Sequence, residues 1–576
     1  MTPTENLSDI DGFRAAPNPP YPAVPVGAVL AGAARRFGDR TALHYHGRTL
    51  SFAQLYGRAC AFATALNGAG IGRGDVVAVH LPNCPQYAVA YFGILLAGAT
   101  FTPASPLLPP AELAAQLTDS GAVAAVSWVL PAAAGPGPAA VLAAVQDRTP
   151  VRLLLVTDRQ QALDLAHPVD LGALPGARDF ESFHATTPAR APAVEIDVEQ
   201  DLAHLAYTGG TTGRSKGVRL SHRNVVVNTL QFSCWSSGSV PVLDDAGGLR
   251  LDQVEPAVEY PVRLGTGVAI NLTPWFHAMG TIGGLNLPML TGSTTVLHDR
   301  FDAGAYLADA ERFRVTGMSG APPLFAALVR HPEFTTRDLS SVRGISSGAA
   351  PLPVELIRAL QRRFGDDVVI TEGYGLTEAT MGVTIGPAAR SAVRKPGTVG
   401  VPVHGTEVRI LDEDGRELPS PEPGEVCVRG PQVMSGYHNR PEETSAVLAG
   451  GWLHTGDIGV LDQDGYLSIV DRKKDMLIYK GYNVYPRRLE EALFAQDGVV
   501  GAAVVGRRDP HVGELPVAFV VAPGLDESGA QALMATVNST LTPYQRLREI
   551  VLVDEIPVSA AGKVLKRELR ERLAGG

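Results

Sequence analysis

The 576-residue sequence predicts an α/β fold spread over more than one domain, and two observations carry that reading. The length exceeds what a single hydrophobic core ordinarily serves. Between Gly74 and Pro103 the pattern alternates: Gly74 to Leu81 reads as a buried strand, Pro82-Asn83 as a turn, and the apolar run Tyr87 to Phe101 as a buried helix. At 45% hydrophobic and 19% charged residues the composition is that of a soluble globular protein with ample side chains to bury.

Taken in order, residues 1 to 25 are proline-rich and polar and read as a surface arm. Apolar residues recur at helical spacing from Val26 to Phe37, and Thr41 to Tyr45 alternates as a strand does. The run Tyr87 to Phe101 is punctuated by Gly93 and Gly98 and falls short of the ~20 residues a spanning helix needs, so no membrane span is expected. Pro131 to Pro138 and Thr186 to Pro192 are linkers or loops. Asp201 to Ala206 reads as a strand and Ser221 to Leu230 as a helix. The polar stretch Ser236 to Gly265 fits a surface hairpin, a lid over the substrate or an oligomer contact. A net charge of -10 argues against a nucleic-acid partner. Cys60, Cys84, Cys234 and Cys427 are scattered, suggesting neither a disulfide framework nor a zinc site, and Met1 to Asn6 shows no secretion signal. A reduced, cytoplasmic setting is expected.

The chemistry begins at Thr208-Gly209-Gly210-Thr211-Thr212-Gly213-Arg214-Ser215-Lys216, a polar run between two strand-like segments. Glycines let backbone N–H groups close on an anion, and hydroxyls and an ammonium add donors, so the run is built to wrap phosphate. It is not a Walker A loop, because Lys216 is followed by Gly217 and β-formers instead of a hydroxyl opening a helix. The run resembles the phosphate-binding signature of the adenylate-forming superfamily, which holds acyl-CoA synthetases, aryl-CoA ligases, peptide-synthetase adenylation domains and beetle luciferases.

Further motifs follow in that family's order. Ser347-Gly348-Ala349-Ala350 resembles the adenine-binding segment. In Glu372-Gly373-Tyr374-Gly375-Leu376-Thr377-Glu378 the aromatic can stack on adenine, Thr377 can donate to phosphate, and Glu378 offers a hard oxygen to Mg²⁺. Asp457 could accept from both ribose hydroxyls. Phe276, His277, Met279 and Gly280 resemble the substrate-pocket motif, extended by Met318, Gly320 and Met381. His277 stands where an amino-acid-activating domain places an aspartate, which disfavours an α-amino acid whose ammonium would be buried unpaired. By the same resemblance Asp471 is the hinge and Arg472 reaches the ribose or phosphate. Lys480, Gly481 and Tyr482 line the thiol channel, and Lys563 is the adenylation lysine.

The resemblance thus implies a large N-terminal α/β domain (1–470) with β-sheets flanked by helices and a small mobile α+β C-terminal domain (471–576). It also implies an ATP- and Mg²⁺-dependent ligase joining a sizeable hydrophobic acid, aliphatic or polycyclic, to coenzyme A. An aryl acid, an acyl carrier protein as acceptor, luciferase-type oxygenation and a homodimer remain open.

Overall fold

A computed structural model describes residues 19–172, 174–208, 215–348, 350, 352–558 and 564–575. The strand Val76–His80 and the helix Pro85–Leu96 form as the sequence predicts; proline opens the helix at its first turn, and all of Pro85 to Leu95 is buried. The helix stops earlier than expected. Gly98 takes φ +77°, and Thr100–Pro103 becomes a strand beside Val76–His80. Glycine tolerates that left-handed turn, and the Thr-Phe-Thr that follows favours a pleat over a helix.

Two large sheets make up the first body. One has eight strands, with Lys216–Ser221, Leu202–Thr208, Thr100–Pro103, Val76–His80 and Ala122–Trp128 at its centre. The other has nine; Val369–Tyr374, Gly344–Ser347, Gly317–Gly320, Val268–Asn271 and Thr294–Leu297 run side by side and parallel. The main core packs the helices Gly27–Phe37, Phe52–Gly68, Pro85–Leu96 and His222–Ser237 among these strands. A second core fills the outer face of the nine-stranded sheet. The helix Phe52–Gly68 begins with a capping box between Ser51 and Gln54, and His222–Ser237 begins with a matching one between Ser221 and Asn224.

Within Ser236 to Gly265 the expected hairpin forms. Ser239–Leu243 pairs with Leu249–Gln253, and the hairpin docks on the helix Gly27–Phe37. A Cβ on Gly32 would lie 2.0 Å from Leu249 O, so only glycine permits that approach. Arg35 then donates to both Asp244 oxygens, at 2.7 and 2.8 Å.

A third sheet holds Gly424–Arg429, Trp452–Leu461 and Leu467–Arg472, and this last strand carries the chain across the expected boundary after Val470. Beyond it, a five-stranded sheet built on Gly501–Asp509 and Gly513–Val521 packs against the helices Pro486–Phe494 and Glu527–Ser539 around its own core. The terminal helix Lys566–Gly575 packs on the Gly501–Asp509 strand, where Leu569 is fully buried. No helix among the described residues is long and apolar enough to cross a membrane.

Candidate active site

The C-terminal ends of the parallel strands open into a cavity of about 2470 Å³. That is well above the roughly 300–1,000 Å³ of a pocket for one drug-sized ligand. Two polar clusters define its mouth.

The first joins Lys216, Tyr437 and Glu378. Gly436–Tyr437 pairs antiparallel with Lys216–Ser221, which brings the Tyr437 ring beneath Lys216, whose Nζ lies 4.6 Å from the ring centroid. Its hydroxyl donates to Glu378 Oε1 at 2.8 Å. Burial, and then the Glu378 charge, push the Tyr437 phenol up, so it stays a donor. Glu378 is held from below: Met434 N–H donates to its carbonyl at 2.8 Å, and the backbone behind it folds into a γ-turn at Thr380. Thr380 takes φ +67° and ψ -59° while fully buried, and Met381 N–H closes the turn on Ala379 O at 2.8 Å. A β-branched residue there costs of order 1–3 kcal/mol, and the Thr380 hydroxyl bonded to Gln432 O at 2.7 Å helps to hold it.

The second cluster is Tyr374, Asp457 and Arg472. Asp457 and Arg472 face each other across antiparallel strands, with Arg472 Nε 3.4 Å from Asp457 Oδ1, and Tyr374 donates to Asp457 Oδ2 at 2.6 Å. A carboxylate offers about four lone-pair sites, so Asp457 keeps acceptor capacity for a diol. Burial and the Asp457 charge raise the Tyr374 phenol far above its ordinary value, which keeps its proton on that bond.

Ser347 and Gly348 follow the Gly344–Ser347 strand into the cavity wall, and Thr208, Gly373, Gly375, Thr377 and Ala350 border it as well. Gly209 to Gly213, Ala349 and Lys563 lie outside the described residues. Val564 to Arg567, immediately after Lys563, line the cavity. Asp471 borders it too, and its Oδ2 accepts from Arg487 N–H at 2.9 Å.

Below the mouth the cavity continues as a trough. Phe276, His277, Met279 and Met381 lie on its wall, where Met279–Asn286 winds as a π-helix. Gly280 and Gly320, expected in that wall, do not border the cavity. A Cβ on Gly280 would sit 1.9 Å from Pro274 O, so this glycine serves the bend behind the wall. Met318 touches the cavity, but its side chain belongs to the outer core with Ile345.

Glu372 is also placed differently from the expectation. It is buried outside the cavity and accepts the Leu352 N–H at 2.8 Å, and burial lifts its carboxyl from 4.5 to about 7. Because the folded value exceeds the unfolded one, the folded chain binds more protons between those limits. The associated stability is complete below pH 4.5 and is lost as pH rises through about 7. At about 1.36 kcal/mol per unit this is on the order of 3 kcal/mol. Glu372→Gln keeps the acceptor for Leu352, so it should leave the denaturation midpoint near pH 5 almost unchanged and raise it at pH 8. An equal effect at both pH values would contradict this account.

Lys480, Gly481 and Tyr482 are separate from the cavity. They form the tip of the Leu477–Tyr479 and Tyr482–Val484 hairpin, where Tyr482 stacks on Tyr544 at 4.8 Å. All four cysteines are buried. Cys427, His454 and Glu425 converge behind the Asp457 strand, but the Lys473 ammonium lies 3.4 Å from Glu425 and supplies the cation there.

Sequence reasoning missed Tyr437, Thr380 and Arg440. Arg440 borders the cavity and lies 3.4 Å from Asp119, which accepts from Tyr207 at 2.7 Å. The aromatic in Gly436-Tyr437 was a legible hint; nothing in the sequence marks Thr380 as strained.

Comparison with known proteins agrees with this geometry. Residues 30–438 match the model of the AMP-binding enzyme family, and 488–563 match that of the AMP-binding enzyme C-terminal domain. A long-chain-fatty-acid–CoA ligase of Bacillus subtilis (strain 168) is 34% identical over 568 residues, covering 96% of this chain and 95% of its own. A 4-coumarate–CoA ligase-like protein of Oryza sativa subsp. japonica is 36% identical, covering 96% of this chain and 94% of its own. An anthranilate CoA ligase solved with anthranoyl-AMP superposes with a TM-score of 0.81 at 25% identity, over 97% of this chain and 99% of that one.

Proposed function

The chain belongs to the AMP-binding enzyme family, and from that premise we propose that it is an AMP-forming carboxylic acid:CoA ligase acting on a long or bulky hydrophobic acid. The observation that carries the reading is one continuous cavity. Its mouth holds the Lys216–Tyr437–Glu378 and Tyr374–Asp457–Arg472 clusters, and its floor is a trough lined by Phe276, Met279 and Met381.

In this reading Tyr374 and Ser347-Gly348 flank the adenine, Asp457 takes the ribose hydroxyls, and Arg472 and Lys216 face phosphate. Glu378 is a hard carboxylate beside Thr377, a donor set that suits Mg²⁺, whose role when bound is to neutralise phosphate charge. The acid lies in the trough with its carboxylate toward the mouth. That oxygen attacks the α-phosphorus, the bond to pyrophosphate breaks, and acyl-adenylate forms; the thiol of coenzyme A then displaces AMP. Lys563 offsets the repulsion between carboxylate and phosphate in the first step, and the body after Asp471 turns to admit the thiol in the second. Residues 480 to 482 lie away from the cavity in this arrangement, as a thiol channel assembled only after the turn requires. The buried cysteines are consistent with a cytoplasmic setting.

The experiment is a screen for pyrophosphate release over a panel of carboxylic acids with ATP, Mg²⁺ and coenzyme A, with mass spectrometry of the thioester. Turnover of long-chain acids to acyl-CoA is expected. If no acid yields AMP, or if carrier protein accepts the acyl group while coenzyme A does not, the reading fails.

A further inference from the structure

The trough leads to a group of arginines that the ligase reading leaves without a role. A parallel sheet buried on both faces usually carries bulky side chains on each. Here the strands alternate instead. Gly317 pairs with Gly344 and Ser319 with Ser346, whereas the intervening Met318 and Ile345 pack into the outer core. The small row leaves the trough open from Gly348 down to Gly344, about 13 Å at roughly 3.3 Å per residue. An extended chain of roughly eleven carbons spans that length, since bonds of ~1.5 Å at tetrahedral angles advance only about 1.25 Å each.

At the lower end, where the parallel strands begin, Val268 and Thr316 border both this cavity and a second one. The second cavity is lined by Arg40, Arg263, Arg314 and Arg343 and, among the described residues, by no carboxylate. Arg314 lies 3.7 Å from Asp338, and Arg40 is committed to the carbonyls of Gly292 and Gly267. Arg263 and Arg343 have no ion-pair partner among the described residues. The Arg343 Nε is buried with no hydrogen-bond acceptor among them, and Nη2 of the same guanidinium makes a long bond of 3.4 Å to Thr266 Oγ1. Burial, and then the nearness of Arg263, disfavour the Arg343 charge. Both arginines are partly exposed, and Arg263 Nε donates to Ala257 O at 3.2 Å, but two guanidinium groups held together with no carboxylate beside them leave room for an anion between them.

We propose that this cleft is the far end of the acyl site, where Arg343 and Arg263 receive the distal carboxylate of an α,ω-dicarboxylic acid while the other carboxylate is activated at the mouth. The assignment rests on the ligase reading and adds to it the substrate class. A distal carboxylate accounts for the arginines better than a free anion does, because the cleft borders the trough at Val268 and Thr316 and lies about one chain length from the mouth. Hydroxyls along the way, at Ser319 and Ser346, suit an acid that is not wholly apolar.

The test compares kcat/KM for matched straight-chain mono- and dicarboxylic acids of increasing length, followed by coenzyme A thioester formation. In the unaltered enzyme the diacid-to-monoacid ratio should rise by about tenfold or more once the chain spans the trough. Arg343→Met and Arg263→Met should each return the long-chain ratio toward the short-chain one, and Arg343→Lys should keep part of it. A ratio that stays flat with length in the unaltered enzyme overturns the proposal whether or not the variants fold. So does a ratio the variants leave unchanged, or a monoacid rate that responds to added inorganic phosphate without any diacid preference. Monoacid turnover with a flat ratio removes this inference alone, whereas no AMP from any acid removes the ligase reading and this one with it.

Discussion

Lys563→Ala is expected to lower acyl-adenylate formation by about 10²–10³ while leaving the thioester step from supplied acyl-adenylate nearly intact. The first step brings a carboxylate against an anionic α-phosphate, and a positioned ammonium stabilises the charge that accumulates as they meet. The second step brings a thiol to a mixed anhydride and needs no cation at that point. Lys563 itself lies outside the described residues, but both flanks of its segment are fixed. Val558 bridges Val564, Leu565 N–H donates to Pro557 O at 2.9 Å, and Val564 to Arg567 line the cavity. Measuring pyrophosphate release separately from coenzyme A acylation of preformed adenylate decides the matter. Equal losses in both assays would mean that the lysine supports the fold, not the first step.

How much of this was legible in the sequence depends on the range of the interaction involved. Local signals translated directly: the strand expected over Thr41 to Tyr45 forms, and the helix expected from Ser221 forms with Ser221 as its cap. Thr377-Glu378, Asp457 and Arg472, which border the cavity, were legible through the resemblance of their runs to the motifs of the adenylate-forming superfamily. What sequence could not give was pairing across long separations. Tyr437 reaches Glu378 only because Gly436–Tyr437 adds an edge to a strand more than two hundred residues earlier. Side-chain direction was a further loss. Met318 and Gly320 looked like wall residues by position, yet period-two alternation turns Met318 to the outer core and leaves Ser319 on the trough face. Glu372 failed for the same reason: Gly373, one residue on, borders the cavity, while Glu372 is buried away from it. The arginine cleft was invisible because Arg263 and Arg343 are eighty residues apart and meet only at the sheet's lower edge.

Lys566→Met is expected to destabilise the C-terminal body by about 3–5 kcal/mol, the range for removing one partner of a buried pair. Lys566 Nζ lies 2.8 Å from Glu490 Oε1, with only 15% and 18% of the two side chains exposed. Burial alone would lower the lysine, but Glu490, Asp471 and Asp475 outweigh it and hold it charged. Glu490 is also fixed by the Val504 N–H at 2.8 Å, so it cannot swing out to water once the lysine is gone. Chemical denaturation of the whole chain should show the loss, and Lys566→Met with Glu490→Gln should recover part of it, because the neutral amide still accepts from the Val504 N–H and leaves no bare charge. Failure of the pair to recover would assign the loss to packing instead. The position carries a second consequence, since the Lys566 charge acts on Asp471, the residue proposed above as the hinge. If that contact favours the arrangement described here, with Val564 to Glu568 against the cavity, then Lys566→Met lowers adenylation more than thioester formation under conditions where it remains folded. A strictly structural lysine would depress both steps together, so the ratio of the two rates separates a hinge contact from a fold contact.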